Sequence, residues 1–472
     1  MQILTQLRSW LRLSRKRQNR WLSCLGAAII YGAVLIVPFP GLEMEAKRAL
    51  AVFAVTAFLW GTNTLPVAVT GLMVLFLIPL SGVLSSEATY AYFGNRAVFF
   101  VLGAFILASP VMRSGLSSRL AVAVVSRFGY GQNVLIASIL LLSALMSFVI
   151  SSYAVTAMLF PVVLEVVQAA GAKPGGRFGL AAFLALGWGS GIGGIATLLG
   201  GARAPLALGV LRSTTGESIS FVQWFIWSIP LVLALLLVAY GLLLQIGRGT
   251  VVSLSTAHKF LLRRSQDLGP ISKRELGTAA VTVLTIGLWI FQGEAWGLDT
   301  IAFFGVLLSF VFGLVDWQEV EEDVNWGIFL MYGSAIALSA MLRDTGAAAE
   351  LAQNLLGWID SGTVTFVAIV AVILILTEGM SNAAAVAVLM PIGLALAAKY
   401  GIDPRAMTLG VTLPSGIAFL LPVSTPVMAI VIGSGYVSPF QAFQRGLWLK
   451  AIGFFIFLAM AKFYWPIVGL GV

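Results

Sequence analysis

Four stretches of the chain put hydroxyl, amide and glycine residues where an ion or a small anion could be held. They are Ser151-Ser152-Tyr153, Ser381-Asn382-Ala383, the run from Gly189-Ser190-Gly191 through Gly194 and Thr197 to Gly200-Gly201-Ala202-Arg203, and Pro414-Ser415-Gly416 continuing to Pro422-Val423-Ser424-Thr425-Pro426. Each interrupts apolar sequence, and irregular backbone at membrane depth must line a cavity or be buried in protein. Helix N-termini offer free N–H groups and partial positive charge to anions, while carbonyls released by unwinding coordinate hard cations such as Na+. Stretches rich in Ser, Thr, Asn and Gly but poor in carboxylates therefore suit an anion accompanied by cations. The same residues would also serve close helix packing, with Pro marking kinks, so the surrounding elements have to decide.

Those elements are membrane helices. Of 472 residues 59% are apolar and 10% charged, against roughly 25% charged in a soluble protein, and the mean hydropathy is +0.99. A water-soluble globule is excluded. Runs such as 65–80, 228–245 and 363–376 lack period-two alternation, which excludes an outer-membrane barrel. Spans are predicted at 22–39, 47–61, 65–83, 97–113, 220–246, 277–292, 299–315, 326–343 and 445–468. Helical pairs are predicted at 133–150 with 154–170 and at 363–380 with 384–399, each followed by an interrupted segment, 180–211 and 405–437. A signal-peptide reading of 1–38 is set aside because the apolar run is long and no A-x-A-like site follows it.

The second half replays the first. Gly103, Ile106, Ser109 and Arg113 match Gly333, Ile336, Ser339 and Arg343, and Ser151, Ala154, Ala157, Leu159, Pro161 and Leu164 match Ser381, Ala384, Ala387, Leu389, Pro391 and Leu394, all at an offset of 230. If each helical pair is re-entrant, an odd number of crossings separates the copies and the repeat is inverted. Inverted repeats with paired broken helices point to a secondary transporter with its site near the bilayer midplane. The expected fold is all-α, a polytopic membrane protein with about 11 transmembrane helices, two re-entrant hairpins and inverted repeats.

Charge and rare residues narrow the chemistry. The net charge of +9 is concentrated in the tail, with Arg8, Arg12, Arg15, Lys16, Arg17 and Arg20, and in the loop from Lys259 through Arg263 and Arg264 to Lys273 and Arg274. Both are expected on the cytoplasmic face of the plasma (inner) membrane, against anionic lipid rather than nucleic acid. One cysteine, Cys24, and one histidine, His258, leave little for disulfide, metal-cluster or haem chemistry, and no cofactor is expected. The chain has no Walker A loop, and its spans lack the His or paired carboxylates of an acid–base enzyme. Trp10, Trp21, Trp60, Trp296 and Trp317 fall at span ends and read as interfacial anchors.

At this point the motifs resemble those of the divalent anion/sodium symporter (DASS) family, which carries sulfate, phosphate or di- and tricarboxylates. That family has a Ser-Asn-Thr signature at each hairpin tip; Ser151-Ser152-Tyr153-Ala154 with Pro161 and Ser381-Asn382-Ala383-Ala384 with Pro391 are similar to it. Gly200 through Ala204 and Ser424 through Met428 resemble its broken-helix stretches, and Leu421 to Gly435 and Trp60 through Pro66 are also family-like, with Asn63 where Glu is usual. The resemblance runs from about residue 45 to the C-terminus. It implies a first sodium site from Ser147, Ser151, Ser152 and backbone near Gly200, and a second from Thr377, Asn382 and backbone near Met380 and Ser424. It implies substrate contacts from Ser152, Tyr153 and Gly201 on one side and Ser381, Asn382, Ala383, Thr425 and Pro426 on the other. It further implies a homodimer working by an elevator movement, with a basic tail (1–21), scaffold helices (22–131 and 277–362), a basic loop (248–276) and transport parts (132–247 and 363–472).

The departures are specific. Tyr153 and Ala383 stand where the signature has threonine, Ser152 where it has asparagine, and Arg203 where the first broken helix usually has proline. A charge inside a membrane is expensive and a functional candidate by default, so Arg203 is expected either in the transport site or snorkelling at the cytoplasmic mouth. Glu378 is read as a protonatable coupling group or as a hydrogen bond closing its hairpin turn. Glu165 is placed near the wetter end of its arm. Arg113 and Arg343 end equivalent helices before amphipathic stretches at 116–128 and 346–358, where a structural role is expected. The function expected is secondary active transport of a small anion, coupled to sodium; the alternative is a sodium-independent carrier, exchanger or channel in which Arg203 replaces a cation site. Chloride, bicarbonate and arsenite stay open as substrates beside sulfate, phosphate and the carboxylates.

Overall fold

The computed structural model describes residues 21–37, 42–62, 64–117, 119, 120, 122, 123, 131–248, 266, 268–356 and 359–471. The basic tail, most of the basic loop with His258, Asn63 and much of the 116–128 stretch lie outside the described residues. Among the described residues every regular element is helical. In chain order these are α1 (Trp21–Ile36), α2 (Met44–Thr62), α3 (Val67–Leu80), α4 (Ser86–Phe93), α5 (Arg96–Arg113), α6 (Gln132–Met146), α7 (Ser152–Ala169), α8 (Arg177–Gly193), α9 (Arg203–Thr215) and α10 (Phe221–Gly247). The second half holds α11 (Lys273–Trp296), α12 (Leu298–Val311), α13 (Trp317–Asp323), α14 (Trp326–Asp344), α15 (Ala347–Leu356), α16 (Gly362–Gly379), α17 (Asn382–Tyr400), α18 (Pro404–Ser415), α19 (Pro426–Gly433) and α20 (Pro439–Phe463).

Eight of these (α5, α7, α10, α11, α14, α16, α17 and α20) are long and apolar enough to cross a membrane, and α1, α3, α6 and α12 are shorter apolar helices. Eight of the nine predicted spans fall on them, and the ninth, 47–61, falls on α2, which is in neither group. The short helices α4 and α13 were not expected. Their polar content and length of 8 and 7 residues keep them below the apolar run of ~20 residues that marks a span.

The repeat is visible in caps as well as in sequence. Asn95 and Asn325, 230 residues apart, begin α5 and α14 by accepting the N–H of Ala97 and Ile328. Ser151 and Ser381 do the same for α7 and α17 through Ala154 and Ala384. Side-chain oxygens at these positions satisfy N–H groups that a helix start leaves free.

Packing between the halves is reciprocal. α5 lies on α12 as α14 lies on α3, and α14 meets α4 as α5 meets α13. The end of α5 is pinned by Arg113 to Glu322 and Asp323, while the end of α14 places Arg343 on the Tyr92 hydroxyl. Tyr92 and Glu322 are themselves 230 apart, so the two contacts are one contact used twice about a pseudo-two-fold axis. The structural role expected for both arginines is met.

The hairpins α6–α7 and α16–α17 each clasp the first half of a broken helix, α8 and α18 respectively. The second halves exchange: α9 packs on α17 and α18, and α19 packs on α7 and α8. This interchange brings both hairpin tips and both breaks into one region. One expectation fails here. Trp60 is 1% exposed and is a packed core residue, because α2 is largely covered by neighbouring helices, whereas Trp21, Trp296 and Trp317 are exposed as anchors should be.

Candidate functional site

At the first junction the chain leaves α6 at Met146, turns through Ser147 to Ile150 and enters α7 at the Ser151 cap. The tip rests on the break between α8 and α9. Ser152 N–H donates to the Gly200 carbonyl at 3.1 Å, and Thr197 Oγ1 donates to the Phe148 carbonyl at 2.7 Å. Glycine is needed for this approach. A Cβ on Gly193 would lie 2.2 Å from the Ala144 carbonyl oxygen, and one on Gly200 would lie 2.4 Å from the Gly194 Cα.

The break releases carbonyls, and the protein supplies donors for them. Arg203 Nη2 donates to Gly194 O at 2.8 Å, Trp224 Nε1 to Ile195 O at 3.2 Å and Ser228 Oγ to Ala196 O at 3.0 Å. Arg203 is 6% exposed. It therefore does not snorkel at the membrane surface, and the interfacial reading is corrected: its position at the first turn of α9 carries the side chain back into the break. The buried Tyr332 of α14, its hydroxyl without a partner, is within electrostatic reach of the guanidinium.

The second junction is built differently. α16 ends at Gly379, Met380 is extended, and Ser381 caps α17. Glu378 reaches across to the second break, where its Oε2 accepts the N–H groups of Leu420 at 3.2 Å and Leu421 at 3.3 Å, and its Oε1 pairs with Lys450 of α20. The expectation that Glu378 closes its own hairpin turn is therefore corrected: its partners are 42, 43 and 72 residues away. With both oxygens engaged, it holds the break to the tip. Lys450 was missed, although a lysine inside an apolar span is the kind of signal that marks a buried partner.

Around these frames the expected site residues divide. Ser147, Ser151, Ser152, Gly200, Gly201 and Arg203 gather at the first junction. A gap of about 20 Å3 lies there, lined by Ser151, Leu199, Gly201 and Ala202 against Val101 and Phe105 of α5, room for about one water. Thr377, Met380, Ser381, Asn382 and Ala383 lie along the second tip. Ser424 donates to Leu421 O at 2.6 Å, and Thr425 caps α19 by accepting the Met428 N–H, with Pro426 opening the helix. Thr377 Oγ1 is spent on the Leu374 carbonyl of its own helix. Tyr153 is 53% exposed, and Ala383 is buried. Beside each hairpin tip a buried side-chain oxygen lacks a partner, Ser147 Oγ at the first and Asn382 Oδ1 at the second, as do the Tyr332 hydroxyl near Arg203 and several Thr and Ser hydroxyls elsewhere among the described residues.

A cavity of about 450 Å3 lies elsewhere, lined by Arg96, Arg212, Gln223, Glu294 and Asp299. It contains none of the expected site residues. Among the described residues, no three His, Cys, Asp or Glu side chains gather as a metal cluster would require.

Comparison with known proteins accords with this architecture. Residues 18–470 match the family described as the sodium:sulfate symporter transmembrane region, and the chain belongs to that family. It is a multi-pass secondary transporter and not an enzyme. The sodium-dependent dicarboxylate transporter SdcS of Staphylococcus saprophyticus is 27% identical, with 95% of this chain and 92% of that one covered. SdcS of Staphylococcus aureus is likewise 27% identical, over 94% and 91%. In fold the chain is similar to the Alcanivorax borkumensis YdaH transporter, with a TM-score of 0.57 at 15% identity over 91% of this chain and 99% of that one. A similar likeness holds to Neisseria gonorrhoeae MtrF, with a TM-score of 0.56 at 14% identity over 82% and 84%.

Proposed function

We propose that the chain carries a small dianion, a dicarboxylate first among the sulfate, phosphate and di- or tricarboxylate classes, across the plasma membrane in symport with sodium. The observation that carries this reading is the pair of unpartnered oxygens, Ser147 Oγ and Asn382 Oδ1, one beside each hairpin tip. Leaving such a group unsatisfied costs about 1–3 kcal/mol, and a sodium ion at each junction would remove that cost. The N-termini of α7 and α17 also begin at the two tips, and helix N-termini suit an anion. The names of the SdcS relatives support both the ion and the substrate class.

In this reading Ser151, Ser152 and Gly200 serve the first ion with Ser147, and Thr377, Met380 and Ser424 serve the second with Asn382. Substrate lies among Ser152, Tyr153, Gly201 and Arg203 on one side and Ser381, Asn382, Ala383, Thr425 and Pro426 on the other. The basic tail and the 248–276 loop face the cytoplasm. The transport parts, 132–247 and 363–472, move as an elevator against scaffold helices 22–131 and 277–362, which pair with a second copy.

The test is uptake of labelled succinate, citrate, sulfate and phosphate into proteoliposomes. An inward sodium gradient is expected to raise succinate uptake by on the order of tenfold, a coupling of about 1.4 kcal/mol. Flux indifferent to sodium would reject the coupling, and no uptake of any of the four anions would reject the substrate class.

A further inference from the structure

Arg203 is 94% buried, and among the described residues no carboxylate lies within ion-pair distance of it. A lone guanidinium inside a membrane protein needs a source of negative potential. The structure offers two. Gly194 is the C-cap of α8 and Gly416 is the C-cap of α18. Nη2 donates to the Gly194 carbonyl at 2.8 Å, and a Cβ on Gly416 would lie 2.6 Å from the same nitrogen. The guanidinium thus sits where the first halves of both broken helices end, and helix C-termini carry partial negative charge. Gly201 opens the remaining side, since a Cβ there would lie 2.7 Å from Nη1.

In a transporter with broken helices, half-helix C-terminal ends and unwound carbonyls are the places that coordinate the coupling cation. At the first break four of these carbonyls already have donors. Gly194 O is held by Arg203, Ile195 O by Trp224, Ala196 O by Ser228 and Gly200 O by the Ser152 N–H. We propose that Arg203 is a tethered cation: it permanently supplies at the first junction the positive charge that an exchangeable ion supplies at such helix ends, so that sodium acts at the second junction alone. A charge that never leaves favours the anion in every state and adds nothing to sodium coupling, because only differential binding shifts an equilibrium. A second cation beside Ser147 would meet like-charge repulsion from the guanidinium.

This inference rests on the symport reading above but replaces the first of its two sodium ions by the guanidinium, so that Ser147, Ser151, Ser152 and Gly200 bind no exchangeable cation and only the Asn382 junction does. The experiment compares the full-length wild type with Ser147→Ala, Asn382→Ala, Arg203→Lys and Arg203→Gln, by succinate uptake in proteoliposomes against sodium concentration and by the sodium-induced rise in thermal midpoint of the purified protein. Ser147→Ala is expected to keep the wild-type sodium dependence, and Asn382→Ala to raise the half-maximal sodium concentration on the order of tenfold. Arg203→Gln is expected to acquire a steeper sodium requirement and a larger sodium-induced stabilisation, with Arg203→Lys resembling wild type. A shift in Ser147→Ala equal to that in Asn382→Ala overturns the proposal, as does an Arg203→Gln protein with wild-type sodium dependence. If Arg203→Gln does not fold, the Ser147→Ala result decides alone. A wild type that transports without any sodium response rejects the symport reading instead, and the thermal response of Arg203→Gln then still decides the role of the guanidinium.

Discussion

The two hairpin junctions share their caps, their packing partners and an offset of 230 residues, yet they solve opposite problems. The first break exposes carbonyls, and donors come to meet them: Arg203, Trp224, Ser228 and the Ser152 N–H. The second exposes N–H groups, and a carboxylate meets them: Glu378, itself neutralised by Lys450. A broken helix has both kinds of end, so a duplicated fold can stabilise either one. The lesson is that symmetry of backbone does not impose symmetry of charge, and that each copy has its own cation, one unpaired by any described carboxylate and one paired.

The largest effect expected from breaking this contrast is at Glu378. Glu378→Ala would strand the Lys450 ammonium, 8% exposed, and free the Leu420 and Leu421 N–H groups together. Removing one partner of a buried pair costs about 3–5 kcal/mol, so the thermal midpoint in detergent should drop sharply and transport should be lost. The double variant Glu378→Gln, Lys450→Met should recover much of that stability, because no buried charge is left alone. A double variant no better than Glu378→Ala would show that the carboxylate acts on the backbone rather than through Lys450.

A smaller loss is expected at the first junction, where the load is shared. Trp224→Phe keeps the ring and removes only the donor to Ile195 O, a cost of about 1–3 kcal/mol for an unsatisfied buried acceptor. Ser228→Ala should cost about 1 kcal/mol at Ala196 O. Chemical unfolding of the purified variants measures both. If either matched the loss in Glu378→Ala, the first break would depend on a single donor and the contrast would fail.

Much of this architecture was legible in the sequence, because membrane spans are read from apolar length alone and the hairpin tips carry Ser at fixed spacing. Predicted 97–113 became Arg96–Arg113, and predicted 220–246 became Phe221–Gly247. What hydropathy could not supply was depth and pairing. Arg203 was open between site and interface because a sequence position does not fix how far a long side chain turns back into the protein. The Glu378–Lys450 pair spans 72 residues and two helices that only the tertiary fold brings together. Trp60 read as an anchor because its cover comes from helices distant in the chain.

The smallest expected effects lie at the seam between the repeats, where the same contact is made with different chemistry. Arg113 meets two carboxylates, Glu322 and Asp323, whereas its counterpart Arg343 meets the Tyr92 hydroxyl and its own neighbour Asp344. The arginine side chains are 31% and 29% exposed, so solvent screens both, and exposed pairs contribute about 0–1 kcal/mol. Arg113→Ala and Arg343→Ala should each lower stability by no more than that. Only the loss in Arg113→Ala should shrink markedly as salt is raised, because its contact between helices is ionic while that of Arg343 is to a neutral phenol. Measuring both variants at low and high salt separates the cases. Equal salt dependence would mean that Asp344, and not Tyr92, is what holds Arg343, and the charge asymmetry seen at the junctions would then not extend to the seam.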